Sequence, residues 1–135
     1  MSNYWVIKWN RNGKHYTNRP RDWTKSLGGP QPFETIGFNE HPVTKHRFTE
    51  VKRDDVVFCY QTDLRSIVGL CQVVDKDENP PGTSCVKLKK LKQLDPPCKV
   101  EGARYRNMKA FQRGSVLTIY GLTKQQAEIL IKACG

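Results

Sequence analysis

The sequence predicts an α+β fold: a small, strongly bent mixed β-barrel of about five to six strands with short flanking helices. Short runs of β-forming residues recur along the chain, and short helical patterns lie between them. The order of these segments does not alternate strictly between strand and helix, which argues against a doubly wound parallel sheet. At 135 residues, the chain is expected to form one domain over residues 1–135.

The first half of the chain begins with the clearest strand pattern. Tyr4–Trp9 reads YWVIKW, a nearly unbroken run of β-forming residues. A short helix is predicted over residues 20–27, because a glycine–glycine–proline sequence follows it. Residues 31–43 show no period and are expected to form a long loop. Residues 44–51 are expected to contain a helical turn or two.

The middle of the chain predicts a hairpin and a third strand. Residues 56–60 and 67–74 are two apolar runs joined by the polar segment 61–66, which indicates an antiparallel pair. The segment DKDENPPGTS, residues 75–84, is expected to be an exposed turn. Residues 85–91 alternate apolar residues with lysines, which suits a strand with one face in water.

The last third of the chain predicts two helices around one strand. After the segment LDPPCKVEG, residues 103–112 carry Tyr105, Met108 and Phe111 about one turn apart, which indicates a helix. Residues 116–120 form a predicted strand. The final helix begins after Thr123, because Gln126 three residues later completes a capping box.

The charge balance favours a polyanionic partner. The chain has 23 Lys and Arg against 13 Asp and Glu, a net charge of +10, as is typical of proteins that bind nucleic acid. No apolar segment reaches the roughly 20 residues that span a bilayer, and no signal peptide is visible. We therefore expect a soluble protein without a membrane partner, located in the cytoplasm, with a nucleoid-associated or nuclear location as the alternative.

The reactive side chains give no catalytic or metal-binding pattern. The five cysteines are odd in number and form no CxxC pair, so they suggest neither a disulfide framework nor a zinc site. Cys59, Cys71 and Cys85 are interpreted as small buried hydrophobic residues. The three histidines form no metal-binding motif. Neither a cofactor nor a metal is expected.

The tryptophans all lie in the first 23 residues. Alternation places Trp5, Ile7 and Trp9 on one face of the first strand. Trp5 is expected in the core, whereas Trp9, followed at once by polar and basic residues, fits either the core or a binding site. Trp23 lies among cationic residues, and an aromatic face beside cations is what an unstacked base requires.

Three segments together resemble an EVE domain of the PUA superfamily, which also includes the YTH readers. They are YWVIKWN at the start, VKRDDVVFCYQTDLRSIVGLCQVV in the middle and AFQRGSVLTIYGLTKQQAEILIKA near the end. The resemblance covers nearly the whole chain and lies in the order and spacing of the segments. It implies a PUA-like barrel with a pocket for a modified base, either flipped out of a duplex or taken from a single strand.

The resemblance also implies where the base would bind. The chain after the first strand, the segment before the central strand and the end of the central strand would line the pocket, with Trp23 as a further aromatic candidate. The implied base-pocket residues are Trp9, Asn10, Trp23, Phe38, Asn39, Tyr60, Gln61, Thr62 and Asp63. The basic residues predicted to bind phosphates are Lys8, Arg11, Lys14, Arg19, Arg21, Lys25, Lys45, Arg47, Arg104, Arg106, Lys109 and Arg113.

The predicted function is that of a non-catalytic reader of a modified base, such as 5-methylcytosine, 5-hydroxymethylcytosine or N6-methyladenine, with DNA favoured. The resemblance adds a nuclease or motor protein as a partner. One alternative is a PUA-like protein that binds RNA or assists RNA modification. A second is a small hydrolase on a related barrel, for which Lys8 with Asp63 is the pair the sequence offers. A structural protein with a basic surface is the third.

Overall fold

The computed structural model describes residues 3–11, 21–36, 46–47, 49–77, 85–102, 105, 108–112 and 119–134. Within these ranges, six strands form one sheet in the order β2–β5–β4–β3–β1–β6. They are β1 (Tyr4–Trp9), β2 (Phe33–Ile36), β3 (Val56–Gln61), β4 (Ser66–Asp77), β5 (Cys85–Lys99) and β6 (Ile119–Leu122). The helices are α1 (Trp23–Gly28) and α2 (Lys124–Cys134), and a 3₁₀ turn lies at Lys109–Phe111. The predicted α+β class and strand number are confirmed.

The sheet is mixed, because β1 and β3 run parallel while the other neighbours are antiparallel. Register shifts interrupt β4 against both of its neighbours, and such bulges bend a sheet. The described strands leave β2 and β6 at opposite edges, so the sheet is not closed between them. This arrangement is compatible with the small bent barrel that the sequence predicts.

Two apolar cores lie on the two faces of the sheet. The face against α1 buries Trp5, Ile7 and Trp9 from β1, together with Trp23 and Leu27 from α1. We call it the α1 face. The opposite face, the α2 face, buries side chains of β1, β3, β6 and α2, including Val6, Phe58, Tyr120, Ala127 and Leu130. The predicted alternation along β1 is therefore confirmed, since successive residues enter different cores.

The sequence located the central elements and the last helix correctly. The predicted strands 4–9, 56–60 and 67–74 lie within β1, β3 and β4, and the last two pair antiparallel as expected. The predicted capping box also forms. Gln126 N donates to Thr123 Oγ1 at 3.1 Å, and Thr123 N donates to Gln126 Oε1 at 3.0 Å. These reciprocal bonds fix the start of α2.

Three predicted loops or turns contain strand. Residues 31–43 were expected to be a loop, but Phe33–Ile36 forms β2 and pairs with β5. The segment LDPPCKVEG was assigned no element, yet β5 continues through it to Lys99. β4 extends to Asp77 into the expected turn, whose residues 78–84 lie outside the described ranges. Strand pairing with distant partners therefore overrides the local turn signals.

The helical segments in the first three predicted helices are shorter than predicted. α1 begins at Trp23, because Asp22 accepts from Thr24 N as its N-cap, and it ends at Gly28. Residues 46, 47, 49 and 50 are helical within the predicted 44–51 segment. The predicted helix 103–112 is wrong as a continuous element. Met108 is extended, with ψ at 108°, and the Lys109–Phe111 3₁₀ turn follows it. Of the predicted strand 116–120, the described part belongs to β6, which continues to Leu122.

One pair of cysteines forms a disulfide that the sequence did not predict. Cys98 and Cys134 form a disulfide with their Cα atoms 5.5 Å apart, which ties β5 to α2. Spacing did not reveal it, because 36 residues separate the two cysteines. Cys59 and Cys71 are free and buried, as predicted, while the side chain of Cys85 lies outside the description. The described residues include no helix that is long and apolar enough to cross a membrane.

Candidate nucleic-acid interface

The carboxyl ends of β1 and β3 bring most of the predicted base-pocket residues together. The strands are parallel, with Lys8 beside Tyr60 and Trp9 beside Gln61. Both strands therefore end at the same end of the sheet. Thr62 N donates to the Trp9 carbonyl oxygen at 2.8 Å and joins the two chain exits. Phe38 and Asn39, also predicted for the pocket, lie outside the described residues.

Trp9 and Trp23 stack directly on each other on the α1 face. Their ring centroids are 3.7 Å apart, and their planes are inclined by 8°. Trp23 is fully buried, and its backbone N donates to Gln61 Oε1 at 2.9 Å. A base cannot enter between rings at that spacing, because the stacking distance is already that of a base on a ring. The two tryptophans therefore form a closed wall in this structure, and neither offers the open platform that the sequence suggested.

A polar rim closes the end of β3. Asn10 Nδ2 donates to Thr62 Oγ1 at 2.7 Å, and Gln61 Nε2 donates to Asp63 Oδ1 at 2.7 Å. Arg11 donates to Asp63 twice, from its backbone N at 3.1 Å and from Nε at 2.6 Å. The predicted pocket residues thus form two hydrogen-bonded sets, Asn10 with Thr62, and Gln61 with Asp63 and Arg11.

The rim holds Asp63 in its ionised form. Burial by itself would raise the pKa of Asp63, but hydrogen bonds from Gln61 and Arg11 outweigh it and lower the pKa. The hydrogen bond to Asp63 likewise raises the pKa of Arg11. The guanidinium of Arg11 stays about half exposed, so it can meet a ligand while Asp63 fixes its position.

Tyr60 lies on the other face of the sheet from the two tryptophans. Its ring packs in the α2-face core, with its centroid 4.9 Å from that of Phe111. Alternation explains the separation, because Tyr60 and Gln61 are consecutive strand residues and project to opposite faces. The expectation that Trp9, Trp23 and Tyr60 would line one cavity is therefore corrected.

Two cations meet one tyrosine ring beside Tyr60. Lys8 Nζ lies 5.2 Å from the Tyr120 ring centroid, and the Arg47 guanidinium lies 4.8 Å from it. Arg47 Nη1 also donates to the Ile119 carbonyl oxygen at 2.7 Å, which anchors it to β6. Burial lowers the pKa of Lys8 to about 8 and raises the pKa of Tyr60. This side of the site is electropositive and aromatic.

The other predicted phosphate-binding residues are distributed as follows. The Arg21 guanidinium lies 5.4 Å from the Trp9 ring centroid. Lys25 is exposed on α1, and Lys109 is exposed in the 3₁₀ turn next to Phe111. Arg11 and Arg21 are therefore on the side of the Trp9–Trp23 stack, whereas Lys8 and Arg47 are at the Tyr120 ring on the α2 face. Lys14, Arg19, Lys45, Arg104, Arg106 and Arg113 lie outside the described residues.

Sequence reasoning missed Tyr120 and Phe111 as parts of this region. Tyr120 lies in this region because β6 pairs with β1, with Tyr120 opposite Val6. A local sequence pattern does not predict a pairing between strands that are so far apart in the chain. Phe111 enters because the chain turns at residues 109–111 and does not continue as a helix. The one feature of the sequence that could have indicated Tyr120 as a site residue is its position at the end of the predicted strand 116–120.

A groove of about 460 Å³ lies at the opposite end of β1, away from the predicted site residues. It is lined by Asn3, Tyr4, Trp5, Thr49, Glu50, Lys52, Gly121 and Leu122. The groove is a shallow, mixed polar and apolar surface, and none of the proposed pocket or phosphate-binding residues that the structure describes lines it. We therefore place the candidate interface at the carboxyl ends of β1 and β3, where cations and aromatic rings meet.

The pair offered for hydrolysis does not form. Lys8 lies on the α2 face beside Tyr120, whereas Asp63 binds Gln61 and Arg11 on the side of the Trp9–Trp23 stack. The two side chains therefore do not face one pocket. Among the described residues, no group of three His, Cys, Asp or Glu is placed to hold a metal ion.

Known structures share this architecture. No protein-family model matches the sequence, and a search of curated proteins returns no significant match. The NMR structure of Rpa0253 from Rhodopseudomonas palustris matches with a TM-score of 0.75 and 22% identity, over 98% of this chain and 93% of that chain. The DUF55 domain of human thymocyte nuclear protein 1, an EVE domain, matches with a TM-score of 0.68 and 16% identity, over 96% of each chain.

The chain has the fold of an EVE domain. The PUA-like architecture implied by the sequence resemblance is therefore confirmed at the level of fold. A crystal structure of human THYN1 protein in complex with DNA containing 5-methylcytosine also matches, with a TM-score of 0.69 and 16% identity. That match covers 97% of this chain and 96% of the THYN1 chain. In the EVE-type sheet described here, the carboxyl ends of β1 and β3 carry Lys8, Trp9, Tyr60 and Gln61.

Proposed function

We propose that this protein is a non-catalytic nucleic-acid reader that binds a modified base, with modified DNA favoured over RNA. The observation that supports it most is that cations lie beside aromatic side chains where β1 and β3 end, with Arg11 and Arg21 on the side of Trp9 and with Lys8 and Arg47 at Tyr120 on the other face of the sheet. Cations at such a site bind phosphates, and nearby rings and amides bind a base. The THYN1 complex with 5-methylcytosine DNA supports the same function in a protein of this fold.

The candidate bases are 5-methylcytosine, 5-hydroxymethylcytosine and N6-methyladenine. A methyl group buried by the protein contributes about 0.8 kcal/mol, which is a small preference. Larger discrimination requires polar groups at the edge of the base, and the rim side chains of Asn10, Thr62 and Asp63 can supply them. Opening a base from a duplex costs a few kcal/mol, so single-stranded or mismatched sites are expected to bind more tightly.

The proposed reader is non-catalytic, and the pair that the sequence offered for hydrolysis, Lys8 and Asp63, lies on opposite sides of the sheet. The proposal includes a nuclease or motor partner and a cytoplasmic location, with a nucleoid-associated or nuclear location as the alternative. RNA binding is the second candidate. The same cations and rings suit a single-stranded RNA, and competition between DNA and RNA of equal sequence separates the two.

A binding panel tests the proposal. Fluorescence anisotropy should measure the Kd for matched oligonucleotides that carry cytosine, 5-methylcytosine, 5-hydroxymethylcytosine, adenine or N6-methyladenine, each in single-stranded and duplex form. At about 0.15 M salt we expect at least one modified oligonucleotide to bind more tightly than its plain counterpart. Equal affinity for every modified and plain oligonucleotide would contradict the modified-base function.

A pair of charge variants tests the location of the interface. Arg11→Gln should weaken binding, because the Arg11 side chain is about half exposed at the end of β1. Lys124→Gln is the matched control, since Lys124 is exposed at the start of α2, just after β6, whose Leu122 pairs with Tyr4 at the other end of β1. The salt dependence of log Kd should also become shallower by up to about one unit for Arg11→Gln if that side chain contacts a phosphate.

A further inference from the structure

Trp9 carries a buried hydrogen-bond donor with no acceptor. Within the part of the chain that the structure describes, its indole Nε1 is the one buried side-chain nitrogen or oxygen that lacks a hydrogen-bond partner. The other two tryptophans are satisfied. Trp5 Nε1 donates to Asp55 Oδ2 at 2.9 Å, and Trp23 Nε1 donates to the Ile7 carbonyl oxygen at 3.1 Å. The missing acceptor is therefore particular to Trp9 and is not shared by the other two tryptophans of this protein.

An unsatisfied buried donor is unfavourable in the free protein. Most buried indole N–H groups have an acceptor, because desolvation without a hydrogen bond destabilises the folded state. Such a group in a native protein calls for an acceptor supplied by a ligand or by an ordered water. The location of Trp9 decides between these sources, because the residue ends β1 on the side of the sheet where Arg11 and Arg21 lie.

The remaining surfaces of the Trp9 ring are already used. Trp23 stacks on it at 3.7 Å, and the Arg21 guanidinium lies over the ring at 5.4 Å. The Trp9 carbonyl oxygen accepts from Thr62 N and lies 3.3 Å from Thr62 Oγ1. The Nε1–H on the edge of the ring is therefore the one polar group of the Trp9 side chain, and it is buried and unbonded in the free protein.

We propose that the Trp9 Nε1–H donates a hydrogen bond to an acceptor atom of the bound nucleic acid. The inference rests on the proposed function and deepens it: Trp9 reads the ligand by its edge and not by stacking. The acceptor is a base carbonyl oxygen, a base ring nitrogen or a phosphate oxygen. The Arg21 guanidinium beside the ring favours an acceptor with negative charge density.

Removal of this single donor tests the inference. Replacing Trp9 with 3-benzothienylalanine exchanges the indole N–H for sulfur and keeps the shape of the side chain. The probe is a fluorescein-labelled single-stranded DNA that carries 5-methylcytosine, with the plain cytosine strand beside it. We expect the Kd to rise about threefold to tenfold, with a melting temperature equal to or above that of the unmodified protein.

Trp5 provides the matched control. The same replacement at Trp5 removes a donor that is already bonded to Asp55, at the other end of β1. It should lower the melting temperature and leave the Kd unchanged, the reverse of the result at Trp9. A Trp9→Phe variant, which also lacks the donor, should reproduce the loss of affinity.

The outcomes separate the inference from the function on which it rests. If the unmodified protein binds and the Trp9 replacement binds equally well, the inference is wrong and the donor is satisfied by water. If the unmodified protein binds none of the oligonucleotides in the panel described above, the proposed function fails and the inference fails with it. A loss confined to the 5-methylcytosine strand identifies an acceptor that Trp9 reaches only when the modified base is bound, whereas an equal loss on both strands identifies an acceptor that is reached in both, either a phosphate oxygen or a base atom.

Discussion

Trp5 Nε1 and Asp55 Oδ2 are joined by a hydrogen bond of 2.9 Å that links β1 to the residue directly before β3. The same carboxyl group accepts from the backbone N of Asn3 and of Lys52, both at 2.9 Å. Asp55 is only 1% exposed, so its oxygens are satisfied by the protein. This side chain fixes the start of the parallel pair whose other end carries the candidate interface.

Asp55→Ala is therefore expected to destabilise the fold. It leaves three donors without their acceptor, and the loss should be about 3 kcal/mol in the free energy of unfolding. Urea denaturation followed by tryptophan fluorescence measures it. Asp54→Gly is the neighbouring control: Asp54 is exposed with φ at 74°, which glycine adopts freely, so its stability should change by less than about 0.5 kcal/mol. Equal stability of the two variants would contradict this role of Asp55.

Gly69 permits the close approach of α1 to the sheet. A Cβ atom at Gly69 would lie 2.6 Å from Leu27 Cδ1 and 2.7 Å from the Lys92 carbonyl oxygen. Leu27 can shift, but the backbone of β5 cannot, so Gly69→Ala should cost about 1–3 kcal/mol. Gly28→Ala is the control, because nothing lies within 4 Å of the added atom. Thermal unfolding of the two variants should show a large decrease in melting temperature for Gly69→Ala alone.

Local patterns predicted the elements that local interactions determine. β1 follows from a run of β-forming residues, and α2 follows from the capping box between Thr123 and Gln126. β2 was missed because it has four residues and its partner β5 lies about 50 residues further along the chain. β5 was shortened because Pro96 and Pro97 signal a break, but they lie between Gln93 and Cys98, where the register against β4 shifts, and a strand tolerates proline at such an irregularity.

The candidate site was predicted in position more accurately than in geometry. Residues 9, 10 and 60–63 do lie at the adjoining ends of two strands, as the resemblance implies. Their side chains, however, divide between two faces, because the alternation of β3 separates Tyr60 from Gln61. The sequence could not show that Trp9 stacks on Trp23, since α1 brings Trp23 onto β1 through the hydrogen bond to Gln61.

The Cys98–Cys134 disulfide should stabilise the attachment of α2. A cross-link that closes a loop of this length lowers the entropy of the unfolded chain by the equivalent of about 3–4 kcal/mol. Dithiothreitol should therefore lower the melting temperature of the oxidised protein. Cys134→Ser should melt at the temperature of the reduced protein and show no response to dithiothreitol. Peptide mapping that finds no Cys98–Cys134 linkage in the oxidised protein would contradict the assignment.

The buried ammonium of Lys8 predicts a stability that rises with pH. Burial lowers the pKa of Lys8 from 10.5 to about 8 in the folded state. Between about pH 8 and pH 10.5 the folded protein loses this proton while the unfolded chain keeps it. Because the unfolded state then binds more protons, the free energy of unfolding increases with pH. Below pH 8 the folded state bears the full cost of the buried charge, at most about 3 kcal/mol.

Binding and stability should then respond in opposite directions to the same titration. If the Lys8 ammonium contacts the nucleic acid, its deprotonation above pH 8 removes a cation from the interface and raises the Kd. Lys8→Met should stabilise the protein at pH 7, weaken binding there, and flatten both profiles between pH 8 and pH 9.5. Lys25→Met, at an exposed position of α1, should leave the pH dependence of stability unchanged. A Kd that stays constant from pH 7 to pH 9.5 in the unmodified protein would show that the Lys8 charge is not used in binding.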